Sequence, residues 1–219
     1  MTRAEVLERT AAFVRGRLDG EGSGHDWWHV DRVRRTALRL AAGEGADPFV
    51  VELAALLHDV ADHKFHGGDE TAGPRAAREW LGGLGVATDT VEHVATIVAE
   101  LSFKGSGVAT PMSTREGAVV QDADRLDAIG AIGVARTFAF GGSRGRPMHD
   151  PEAPPEAHDS FEAYKASRGP TVNHFHEKLL LLRDRMNTAA ARRAADERHR
   201  FMEEFLRHFH AEWEGEDLP

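Results

Sequence analysis

The run VVELAALLHDV, residues 50–60, limits what this chain can fold into more than any other stretch. From Phe49 to Leu57 it is apolar almost all round, so a helix formed there has to be central. Asp47-Pro48 supplies its start, because Asp is a good N-cap and Pro suits the first helical position. The end is unusual. His58 and Asp59 follow directly, and a carboxylate at the end of a buried helix is costly unless a cation or donor meets it. A metal ion is one such partner. The plain alternative is that the pair marks where the helix leaves the core.

Helical spacing recurs along the chain. Val6, Leu7, Phe13, Val14 and Leu18 predict a helix over about 3–18. Glycines in DGEGSGHD break it. Val30, Val33, Ala37 and Leu40 predict a second helix over about 26–42. GPRAAREWLGGLG reads as a short helix stopped by its glycines. Asp89 and Glu92 read as a cap ahead of VATIVAEL, and Ser113 and Glu116 as a capping box for REGAVVQDADRLDAI. Helical content continues through IGVARTFAF. Residues 141–170, rich in Gly, Pro, His and acidic residues, read as a long loop or lid. Two last helices follow, one with a stripe of Phe175, Leu179, Leu182 and Met186, the other with Phe201, Phe205 and Phe209. No β-type alternation appears, so the predicted class is all-α. The expected organisation is one domain over 1–219, with a core at 25–140, the loop at 141–170 and C-terminal helices at 171–212.

Two more stretches join the central pair. His29 stands in HDWWHVDRV, four residues after His25, and Asp124 in QDADRLDAIG, with Asp127 one turn beyond it. Val120, Leu126 and Ile129 flank these aspartates and place some acid near the core. His29, His58, Asp59 and Asp124 together offer two imidazoles and two carboxylates. That mixture suits a cation that keeps water in its shell, such as Mn²⁺, Co²⁺, Fe²⁺ or Mg²⁺, and Zn²⁺ is compatible. The chain has 13 histidines and no cysteine, so imidazole is its natural soft ligand and thiolate sites, disulfides and cysteine nucleophiles are excluded.

A bound divalent cation acidifies water and neutralises a phosphoryl oxygen. Asp62, one helical turn past His58, is placed to hold or deprotonate the attacking water. Lys64, Lys104 and Arg125 are candidates for stabilising phosphate charge, and His25 for a substrate contact. Each lysine reads equally well as a solvated loop charge, and Arg125 as half of a structural ion pair. Trp27-Trp28 offers a stacking surface, although such pairs more often pack a helix on its neighbour. The formal net charge of −9 argues against a broad nucleic-acid footprint. A small anionic substrate remains compatible, because local cations override the net field. No leader opens the chain and no apolar run approaches the roughly 18 residues of a membrane span, so a cytoplasmic protein is expected.

The ordered set His29, then His58-Asp59, then Asp124 within DADRLDAIGAIG resembles the HD-domain superfamily of metal-dependent phosphohydrolases over about residues 25–140. The longer pattern GHDWWHVDRV, LAALLHDVADHKF, AELSFKG, QDADRLDAIGAIGVARTFAFGG and NHFHEKLLLLRDRMNT is similar to a bacterial subgroup of nucleotide-pyrophosphatase-like HD hydrolases. The resemblance implies a helical bundle, the four residues as metal ligands and Asp62 at the place of a catalytic acid. The leading expectation is a metal-dependent phosphohydrolase acting on a nucleotide, a nucleoside or deoxynucleoside triphosphate, and releasing pyrophosphate. Phosphomonoester or cyclic-phosphodiester hydrolysis at the same metal is a second reading, and a non-catalytic nucleotide or metal sensor a third. A homodimer stays open. No Gly-rich phosphate loop, dinucleotide fingerprint, H-E-x-x-H or nucleophile elbow is present.

Overall fold

The structure, a computed structural model, describes residues 1–18, 24, 26–60, 71–101, 108–156 and 168–218. Among these residues there are nine α-helices and no strand. In chain order they are α1 Arg3–Arg17, α2 Trp27–Glu44, α3 Pro48–Leu57, α4 Ala72–Gly83, α5 Thr88–Glu100, α6 Arg115–Asp127, α7 Gly130–Ser143, α8 Asn173–Glu177 and α9 Ala189–Glu214. Two 3-10 turns, Leu179–Leu181 and Arg183–Arg185, lie between α8 and α9.

The apolar run forms α3, and it is central: α1, α2, α5 and α6 all pack against it. Asp47 caps it, accepting from Phe49 N at 2.9 Å, with Pro48 at the first helical position. Its one charged residue, Glu52, leans out to Arg34 Nε on α2 at 2.7 Å. The amide of Asp47 donates to Glu116 Oε1 at 2.9 Å, so the start of α3 is tied to the first turn of α6.

That tie explains why the capping box expected at Ser113 and Glu116 does not form. Glu116 is turned to Asp47, while the amide and hydroxyl of Ser113 both donate to Glu100 Oε2 at 2.9 Å. Thr114 caps α6 instead, accepting from Gly117 N at 3.1 Å. The cap expected from Asp89 and Glu92 is also absent. Helix α5 starts at Thr88, so Asp89 is already inside its first turn, and Glu92 pairs with Arg78 Nε at 3.0 Å.

Helices α6 and α7 are separate. Gly130 sits at φ +75°, a backbone region glycine reaches without penalty. A Cβ on Gly133 would meet the Ala128 carbonyl oxygen at 2.2 Å, so the missing side chain lets α7 close back over the end of α6. Helix α7 continues to Ser143, past the expected boundary at Gly141. Of the expected loop at 141–170, residues 157–167 lie outside the described residues; its two described ends are joined by Thr171 N donating to Pro147 O at 2.9 Å and Val172 N to Met148 O at 3.0 Å.

The stripe through Phe175, Leu179, Leu182 and Met186 is buried as expected, but not on one helix. The backbone leaves the helical region at Lys178, φ −141°, and continues as 3-10 turns. Their period of about three keeps Leu179 and Leu182 on one face. Asp122, wholly buried on α6, then catches the chain: it accepts from Asn187 N at 2.7 Å, Asn187 Nδ2 at 2.9 Å and Thr188 N at 2.8 Å. Thr188 in turn caps α9, accepting from Ala191 N at 3.2 Å. Phe205 and Phe209 of α9 pack with Phe138 of α7, and Phe205 stacks on Phe175, whereas Phe201 faces outward. Among the described residues no helix is long and apolar enough to cross a membrane.

Candidate metal centre

Helices α2 and α6 bring the central pair its partners. Asp26 caps α2 by accepting from His29 N at 2.9 Å, which fixes the first turn with His29 in it. His58 is the C-cap residue of α3 and Asp59 follows it. Asp124 lies on α6, which packs against both α2 and α3.

The ligand atoms converge. His29 Nε2 lies 3.1 Å from His58 Nε2, 3.2 Å from Asp59 Oδ2 and 3.5 Å from Asp124 Oδ1. His58 Nε2 lies 3.6 Å from Asp59 Oδ2 and 3.9 Å from Asp124 Oδ1. His29, His58 and Asp59 each place a ligand atom within 4.8 Å of the others. The side chains of His29, His58 and Asp59 are 1%, 4% and 12% exposed, and that of Asp124 is 35% exposed, so the centre opens on the Asp124 side.

Each imidazole is aimed by its other nitrogen. His58 Nδ1 donates to Ala55 O at 2.8 Å, and His29 Nδ1 donates to Asp127 Oδ2 at 2.8 Å. An acceptor at each Nδ1 assigns the proton there in the neutral rings and leaves both Nε2 lone pairs facing the centre. Two lone pairs and two carboxylate oxygens this close repel one another unless a cation or a proton sits between them. The donor set therefore fits a divalent metal. The electrostatics of His29 agree. Burial alone would depress its pKa, but hydrogen bonds to Asp127 and Asp59 outweigh burial and raise it. A pocket that attracts a proton this way attracts a cation.

Asp127 is the outer support. Besides His29 it accepts from Arg32 Nε at 2.7 Å, Arg32 Nη2 at 3.0 Å and Arg136 Nη1 at 2.9 Å. Burial would raise its pKa, but these donors hold it well below the usual carboxylate range, so it stays ionised. Arg136 Nε also donates to Gly24 O at 2.8 Å, tying α7 to the turn ahead of α2. The spacing signals this support: Asp127 is one helical turn from Asp124, and Arg32 one turn from His29.

The other expected site residues divide. His25, Asp62, Lys64 and Lys104 lie outside the described residues. Arg125 is buried, and its guanidinium donates to Thr110 Oγ1 at 2.7 Å and to the Arg185 carbonyl. Burial pushes its pKa down to about 10, against the pull of Asp122 and Asp124. Arg125 thus fastens the segment ahead of α6 to the second 3-10 turn, beside Asp124. The guanidinium of Arg15 lies 5.9 Å from the Trp27 ring centre and 6.0 Å from that of Trp28, and Trp28 is exposed.

Residues 27–129 match the HD domain, a segment that encloses His29, His58, Asp59, Asp124 and Asp127. YpgQ of Bacillus subtilis, an uncharacterised protein, is 38% identical over 221 residues, spanning 99% of this chain and 98% of its own. The chain belongs to the HD-domain family. The crystal structure of an HD-superfamily hydrolase from Bacillus thuringiensis is similar with a TM-score of 0.74 and 46% identity, covering 97% of this chain and 99% of that one. The crystal structure of Bacillus subtilis YpgQ in complex with ADP is similar with a TM-score of 0.73 and 34% identity, covering 97% and 98%. This kinship supports a hydrolase built on a helical bundle, as the ordered His29, His58-Asp59 and Asp124 set implies.

Proposed function

We propose that this HD-family chain is a metal-dependent phosphohydrolase acting on nucleotides, converting a nucleoside or deoxynucleoside triphosphate to the monophosphate and pyrophosphate. The observation that carries it is the convergence of His29 Nε2, His58 Nε2, Asp59 Oδ2 and Asp124 Oδ1 from three helices. The ADP complex of YpgQ supports a nucleotide as the ligand.

A divalent cation bound there supplies Lewis acidity toward a phosphoryl oxygen and makes water more acidic. His29 and His58 provide neutral nitrogen donors, and Asp59 and Asp124 provide the charge that balances a dication. Asp124, on the open side, marks where the phosphates enter. Water adds to the α-phosphorus as the bond to the bridging oxygen breaks, and pyrophosphate leaves. Asp62 holds that water and takes its proton. Lys64 and Lys104 offset the charge that builds on the phosphates, and His25 contacts the substrate, while Arg125, engaged with Thr110 and Arg185, holds the wall beside Asp124.

The test is a nucleotide panel offered to metal-stripped protein resupplied with Mn²⁺, Co²⁺, Fe²⁺ or Mg²⁺, with products identified by mass spectrometry. Wild type is expected to release pyrophosphate. His58→Ala and Asp59→Ala are expected to lose turnover while keeping their helical circular dichroism. Full activity in either variant, or no turnover of any nucleotide by wild type, would sink the proposal. Release of orthophosphate alone would move the activity to phosphomonoester hydrolysis.

A further inference from the structure

The outer support of His29 is unusual in its charge. A carboxylate on the far nitrogen of a ligating histidine normally strengthens that histidine as a donor. Here Asp127 shares its lone pairs with two guanidiniums. Its Oδ2 accepts from His29 Nδ1 at 2.8 Å, Arg32 Nη2 at 3.0 Å and Arg136 Nη1 at 2.9 Å, and its Oδ1 from Arg32 Nε at 2.7 Å. Charge-assisted bonds of this kind draw strongly on the acceptor. One aspartate faces two arginines, so the group behind His29 is cationic overall, where a lone carboxylate would be anionic.

We infer that Arg32 and Arg136 tune the metal centre through Asp127, weakening His29 as a nitrogen donor and biasing the site toward oxygen-preferring divalent cations over zinc. Zinc depends more on its nitrogen ligands than manganese or magnesium, which bind mainly through oxygen. With two carboxylates already in the set, weakening one imidazole penalises zinc selectively. The inference rests on the metal centre and not on the substrate. The competing explanation is that the arginines only neutralise a buried carboxylate. Their loss would then change the binding of every cation alike.

Arg32 is the cleaner position to change, because Arg136 also holds Gly24 O at 2.8 Å. Full-length wild type, Arg32→Met and Arg32→Lys, stripped of metal, are titrated separately with Zn²⁺ and Mn²⁺ in competition with a chromogenic chelator. Arg32→Met is expected to raise the ratio of zinc to manganese affinity by about tenfold, the scale of effects from such outer partners. Arg32→Lys, which keeps the charge but loses the fork, is expected to raise it by much less. Arg136→Met is expected to shift the ratio in the same direction and provides the reading if Arg32→Met does not fold. An unchanged ratio in the folded variants would overturn the inference while leaving the metal centre standing. No binding of either ion by wild type would overturn both.

Discussion

Asp122 and Asp127 are buried carboxylates on the same helix, yet they take different donors and do different work. Asp122 faces the C-terminal segment, and its donors among the described residues are neutral, two backbone amides and the Asn187 side chain. Asp127 faces α2 and α7 and takes His29 and two guanidiniums. Burial is common to both, so burial does not mark the functional one. The donors do. Neutral amides fix where a chain goes, here where α9 begins. Cationic donors also set the charge at an adjacent ligand.

The sharpest way to break this contrast is to delete each carboxylate. Asp127→Ala strands two guanidiniums and the Nδ1–H of His29, which is expected to cost about 3–5 kcal/mol and to weaken metal binding by about 10–100-fold. Denaturant titration and metal competition on the same samples measure both. Asp122→Ala is expected to cost about 2–3 kcal/mol, from amides left without acceptors, with metal affinity unchanged. A loss of metal binding in Asp122→Ala as large as in Asp127→Ala would erase the distinction.

The smallest effect is a pH dependence, and its two parts have opposite sign. In the metal-free chain the raised pKa of His29 contributes stability that is fully present below its ordinary value of about 6.5 and is lost as pH rises through the raised value. The depressed pKa of Asp127 contributes stability present above its ordinary value of about 3.9 and lost as pH falls through the depressed one. The metal-free protein should therefore resist denaturant best between about pH 4 and 6.5 and weaken above that window. Metal affinity should rise over the same upper range, because the cation replaces the proton at His29. Asp127→Asn should flatten the stability profile.

The convergence of His29, His58 and Asp59 is legible in the sequence because their helices declare themselves locally. Asp26 and Asp47 each cap the helix they precede, and those starts fix His29 in the first turn of α2 and His58-Asp59 at the end of α3. Expected caps do not form where a side chain has a stronger partner elsewhere. Glu116 goes to Asp47, Ser113 to Glu100 and Glu92 to Arg78, and no local pattern contains those partners. The stripe through Phe175 and Met186 gave the right buried residues and the wrong helix, because 3-10 turns keep nearly the same facing with a different backbone. Asp127 shows the deeper limit. Its partner His29 is 98 residues away, and only the packing of α2 on α6 joins them.

Crystals soaked in Mn²⁺ test directly, by anomalous scattering, whether His29, His58, Asp59 and Asp124 hold one divalent cation. The expected result is one strong peak within about 2.0–2.6 Å of His29 Nε2, His58 Nε2 and carboxylate oxygens of Asp59 and Asp124. A peak held by other residues, or none between these four, would contradict it.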